Sequence, residues 1–147
     1  MLSLLTKRFR KASAETTAAM AKNMNRDLME GTVYGAFYVA GSDGSLGDSE
    51  IKKLEKIIAN QSLLKGFGAE LSNSMDTAEA LYNDSPRLLR QRAEKELSDL
   101  QHDPEAAKTV MNILLTIADE GGIDEAERAA LERCAKWMGV NLKDFED

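Results

Sequence analysis

Val33, Ala36, Phe37 and Ala40 follow the i, i+3, i+4, i+7 spacing, and the same four places 77 residues later hold Val110, Ile113, Leu114 and Ile117. That spacing lines one side of an α-helix. A helix with one apolar side has to bury it against another element, so the chain is bound to helix packing at two places. The register runs on without a gap. "GSDGSLGDSE" (41–50) aligns with "ADEGGIDEAE" (118–127), then Leu54 with Leu131 and Ile57 with Cys134. Strict identity is low, and the phase of the apolar faces carries the case for duplication.

The expectation is an all-α fold: a compact bundle of about seven helices with two pseudo-symmetric helix–loop–helix repeats, about 27–60 and 104–138. A length of 147 residues suits one domain with one core, spanning 1–147. Two prolines and 5% aromatics, with many Ala, Leu, Glu and Lys, agree with helix over strand. A helix is expected over 1–24, then others from about Asp27 to Gly41 and Asp48 to Asn60, the latter burying Leu54, Ile57 and Ile58. Two more fill Lys65 to Gln101, divided at Ser85-Pro86. Asp103-Pro104 reads as an N-cap followed by a proline at the first helical position. A short helix near Asn141 to Phe145 closes the chain.

The net charge of −6 argues against a general phosphate-binding or nucleic-acid-binding surface. The single cysteine excludes an internal disulfide and fits a reducing compartment. One Cys and one His are too few for a zinc site. No apolar run is long enough to span a membrane. The N-terminus has no continuous apolar core of the secretory type.

Both loops carry an acidic residue, a glycine, an apolar residue two places on and a glutamate four places beyond that. Glycine six residues before glutamate is also the spacing of an EF-hand loop. The first two ligand positions of such a loop would be Val39 and Gly41, or Thr116 and Ala118, so neither loop is an EF-hand. Two loops facing each other would be different. Asp43, Asp48 and Glu50 would then meet Glu120, Asp124 and Glu127, together with Asp119. Crowded carboxylates repel, and a divalent cation relieves the repulsion. Hard oxygen ligands favour Ca²⁺, Mg²⁺ or Mn²⁺. A plainer reading stands beside this one. Asp124 with Glu127 is a capping box, Gly47 and Glu50 occupy the same two places, acidic residues in a first turn suit the helix dipole, and Gly44 and Gly121 allow a positive φ. On the residues alone both readings are open.

Together, "GTVYGAFYVAGSDGSLGDSE", "DPEAAKTVMNILLTIADEGGIDEAER" and the closing "MGVNLKDF" resemble the TerB-type tellurite-resistance family over nearly the whole length. The resemblance implies a duplicated all-α fold and a cytoplasmic stress-response protein with no known enzymatic reaction. It implies partners within the same resistance system, membrane-bound and calcium-binding, and links to phage and toxic-anion defence. It also implies metal binding at the acidic positions, here Asp43, Asp48, Glu50, Glu120, Asp124 and Glu127. Glu120-Gly121 departs from the family's usual Asp-Gly.

Among the remaining residues, His102 is expected at a solvent-facing helix junction, Cys134 in the core and Trp137 in the core or at its rim. No nucleophile–His–acid arrangement and no Gly-rich phosphate loop is present. Lys7, Arg8, Arg10 and Lys11, with Leu4, Leu5 and Phe9, suit either a weak peripheral contact with the inner face of an anionic membrane or packing on the bundle. The functional expectation is a non-enzymatic adaptor or sensor with an acidic cation site. The alternatives are a metal-free interaction module whose acidic loops bind basic partner residues, and a metal-dependent hydrolase.

Overall fold

The computed structural model of the chain describes residues 26–120 and 122–146. The expected helix over 1–24, with its basic and apolar residues, lies outside them. All regular structure among the described residues is helical. We label the helices α1 (residues 26–40), α2 (Asp48–Ala59), α3 (Ala69–Asp84), α4 (Pro86–Ser98), α5 (Pro104–Asp119) and α6 (Glu125–Met138). Three short 3₁₀ turns join or close them, at Lys65–Phe67, Asp99–His102 and Leu142–Phe145. The last is the short helix expected near Asn141 to Phe145, of 3₁₀ form, and Asn141 caps it through Lys143 N–H at 3.1 Å.

Local chemistry sets the helix starts. Ser85 accepts from Leu88 N–H and precedes Pro86 at the first helical position. Asp103 does the same for α5 through Ala106 N–H at 3.1 Å. Asp124 opens α6 with a complete capping box, its carboxylate accepting from Glu127 N–H at 2.7 Å. Gly139 ends α6 at φ 75°, the left-handed stop that glycine adopts without strain.

The expected single buried face of α1 understates its burial. Every residue from 31 to 39 is buried, including Tyr34, Tyr38 and Val39 on the sides away from Val33, Ala36 and Phe37. A helix buried all round is the centre of its bundle. α5 and α4 flank it: a Cβ at Gly35 would meet the side chains of both Leu114 and Leu97. α5 buries Val110, Ile113, Leu114 and Ile117, as the spacing expects. In α2 the buried stripe is Ile51, Leu54 and Ile58, while Ile57 is only partly covered. Cys134 is fully buried, and burial pushes its thiol up to about 12, so it packs as a small apolar residue. Trp137 lies at the rim, its ring centroid 5.3 Å from that of Tyr38. His102 is exposed.

One buried charge cluster was not anticipated. Glu96 is buried and receives Arg92 Nε at 2.9 Å, with Lys95 Nζ at 3.6 Å. The Arg92 guanidinium lies 4.5 Å above the Tyr34 ring. Glu30 of α1 faces this group. Burial, then the hydrogen bond and charge of Glu96, push its carboxyl above the ordinary 4.5. A raised folded-state value means that the stability Glu30 contributes is complete below about pH 4.5 and is lost as pH rises through the folded value. Glu30→Gln is therefore expected to raise the melting temperature at pH 7 and to flatten its fall above pH 4.5. Thermal unfolding across a pH series checks this. A lower melting temperature at pH 7 would contradict it.

Candidate acidic two-loop site

The loops between α1 and α2 (41–47) and between α5 and α6 (120–124) meet. One carboxylate oxygen from each of Asp43, Asp124 and Glu127 lies within 4.8 Å of the other two. Loop 1 is shaped by its own backbone. Gly41 N–H donates to Phe37 O at 2.9 Å and Gly44 N–H to Gly41 O at 3.0 Å. Gly44 then turns the chain at φ 75°. Asp43 accepts from Ser45 N–H at 3.0 Å and Ser45 Oγ at 2.7 Å, and these bonds hold its carboxyl below the ordinary range. Tyr82 of α3 steadies the loop, its hydroxyl accepting from Leu46 N–H at 3.2 Å. A side chain at Gly41 would collide with the Tyr82 ring.

Loop 2 is not a copy of loop 1. The helix starts keep the 77-residue spacing, at Asp48 and Glu125. The incoming helices end differently, at residue 40 and at Asp119. Gly121 lies outside the described residues, and the left-handed residue described in loop 2 is Gly122, at φ 78°, one place beyond the position matching Gly44. Leu46 is partly covered, whereas its counterpart Ile123 is exposed.

The six carboxylates named from the sequence fall into three groups. Asp43, Asp124 and Glu127 converge. Glu50 and Glu120, with Glu127, line a cavity of about 200 Å³ whose other walls include Leu46, Leu54, Ile57 and Ile117. Asp48 is exposed in the first turn of α2 and belongs to neither. Glu50 shares its cavity with Lys53, and its own backbone N–H and the Ser49 hydroxyl hold its carboxyl below the ordinary range. By contrast, no Lys or Arg among the described residues forms an ion pair with Asp43, Asp124 or Glu127. Burial, then the charges of Asp124 and Asp43, push Glu127 above its ordinary value although the Asp124 N–H favours its ionised form. Glu127 therefore takes up a proton before Asp43 as pH falls.

A second acidic group was missed. Glu55 of α2 meets Asp76 and Glu79 of α3 within the same 4.8 Å. Nothing in the order of residues marks it, because the packing of two helices assembles it.

Fold and site together define a small all-α domain that presents two acidic loops side by side. The chain belongs to the family of tellurite resistance protein TerB, whose family model matches residues 29–147. No curated protein and no solved structure matches the chain. Among the described residues no helix is long and apolar enough to cross a membrane.

Proposed function

We propose that this domain is a non-enzymatic adaptor or sensor of the tellurite-resistance system, in which Asp43, Asp124 and Glu127 take a divalent cation and so couple the two loops. The observation that carries the reading is the approach of three carboxylates, one from each loop and one from the first turn of α6, without a paired Lys or Arg among the described residues. The donors are hard oxygens only, which favours Ca²⁺, Mg²⁺ or Mn²⁺ over Zn²⁺. Three side chains fall short of the 6–8 oxygens of a full calcium shell, so water completes it and the affinity is modest. In this reading the protein acts in the cytoplasm with other proteins of the system, some of them at the membrane.

Calorimetric titration of chelator-treated protein with Ca²⁺, Mg²⁺, Mn²⁺ and Zn²⁺ tests the reading. Saturable binding of at least one of the first three ions is expected, with Zn²⁺ weaker. Heats indistinguishable from dilution for all four would sink it.

The runner-up is a metal-free module that binds a basic partner segment. The cavity beside the acidic group favours it, since Leu54, Ile57 and Ile117 offer apolar surface next to Glu50, Glu120 and Glu127. An amphipathic basic peptide would suit such walls. Peptide binding that persists in chelator and is unchanged by cations would favour this second reading. A metal-dependent hydrolase would need an open coordination position beside a shaped substrate cavity.

A further inference from the structure

Loop 1 has a second side, and its chemistry is opposite to that of the acidic one. Gly41 and Ser42 help line a cavity of about 460 Å³ between α1, α3, α4 and α6. Arg87 and Arg90 of α4 and Arg133 of α6 face it, with Tyr38 and Tyr82. No carboxylate among the described residues lines it. None of the three arginines forms an ion pair among the described residues. Arg87 and Arg90, both exposed, and the half-buried Arg133 gather three guanidiniums around one hollow in a chain of net charge −6.

We propose that this cavity binds a phosphate group, free or as the monoester of a small soluble molecule. Its polar lining is rich in donors. Arg133 Nε donates to the Tyr38 hydroxyl, and its guanidinium lies 5.7 Å from the centroid of the Tyr38 ring. That contact holds the arginine in place and leaves its two terminal amino groups to the ligand. Tyr82 accepts from Leu46 N–H, so its own hydroxyl proton is left to donate. The Tyr38 hydroxyl, already an acceptor, is in the same position. Guanidinium groups match phosphate oxygens in pairs, and charge-assisted bonds of this kind are about twice as strong as neutral ones. Cations bind poorly against such a wall. Nucleic acid and membrane surfaces are disfavoured as well, because both favour an extended basic face over one hollow in an acidic protein.

The test uses the full chain, with inorganic phosphate and glucose 6-phosphate as probes, followed by ¹⁵N-amide shifts and calorimetry. Saturable binding is expected, with the largest shifts at Ser42, Arg87, Arg90 and Arg133. Tighter binding of the ester identifies the ligand as a phosphomonoester, whereas equal or weaker binding identifies it as free phosphate. Arg87→Gln and Arg133→Gln are each expected to weaken binding about tenfold or more. Arg133→Lys keeps the charge but loses the fork, and is expected to recover only part of that loss. Arg128→Gln removes an equal charge from α6 outside this cavity and is expected to bind as wild type. Circular dichroism of each variant confirms folding. Two results overturn the proposal: no saturable binding of either probe, or equal weakening in Arg128→Gln.

Discussion

Replacing Phe37 by alanine is expected to cost about 3–5 kcal/mol. Phe37 is fully buried in α1, and α1 is enclosed by the helices around it. Truncation loses the transfer energy of the ring and leaves a hole that the surrounding helices cannot close without moving together. A domain of this size has about 5–15 kcal/mol of total stability, so the loss takes a large share of it. Phe37→Leu keeps most of the volume and is expected to cost far less, about 1.5 kcal/mol or below. Urea unfolding of both variants measures the difference. A loss below about 1 kcal/mol for Phe37→Ala would mean that α1 is not the centre of the bundle, since buried aromatic truncations cost several times that.

Glu127→Gln is expected to remove about half of the stabilisation that a divalent cation gives the protein. A cation at a hundred times its dissociation constant stabilises the folded state by about 2.7 kcal/mol, and a tenfold loss of affinity leaves about 1.4 kcal/mol at the same concentration. The ion-free protein behaves differently. Burial, then the charges of Asp124 and Asp43, hold the Glu127 carboxyl above its ordinary value. Its favourable contribution is therefore complete below about pH 4.5 and lost as pH rises through the folded value. Glutamine keeps an oxygen to accept from Asp124 N–H while removing the charge. Ion-free Glu127→Gln is thus expected to be as stable as wild type at pH 7, or more so. Asp43→Asn is expected to lose the same ion response, and the double variant little more, because groups sharing one ligand do not add. Asp124→Ala deletes a cap and a proposed ligand together, and is expected to cost about 0.5–2 kcal/mol in chelator and more with ion present. If the ion response of Glu127→Gln equals that of wild type, the loop carboxylates serve only as caps. Unfolding with chelator and with each cation separates the outcomes.

Much of the architecture could be read in the order of residues. Ser85-Pro86 and Asp103-Pro104 mark real helix starts, and Asp124 with Glu127 is a real capping box. The apolar spacing that announces α5 corresponds to a buried stripe. These features depend on hydrogen bonds and side-chain directions that reach three or four residues along the chain, so a linear sequence contains them in full. The family could be read for the same reason, because its pattern is made of such local elements.

Other features required the folded molecule. Spacing offers Asp43, Asp48 and Glu50 as equal candidates, but only Asp43 reaches Asp124 and Glu127. The turn at Gly44 and the bonds to Ser45 aim its carboxylate, whereas Asp48 is carried outward on the first turn of α2. Ile57 has the spacing of a core residue yet borders a cavity walled mainly by α1, α2 and α5, a gap that only the packing of three helices defines. The all-round burial of α1 and the enclosure of Glu96 follow from how many neighbours surround a helix, which no single helix encodes. The arginine-lined hollow is the extreme case. Tyr38 and Arg133 touch across 95 positions of chain. Side-chain volumes throughout the core set the helix spacing that brings them together, so the sequence supplied the charges and the packing alone put them in one place.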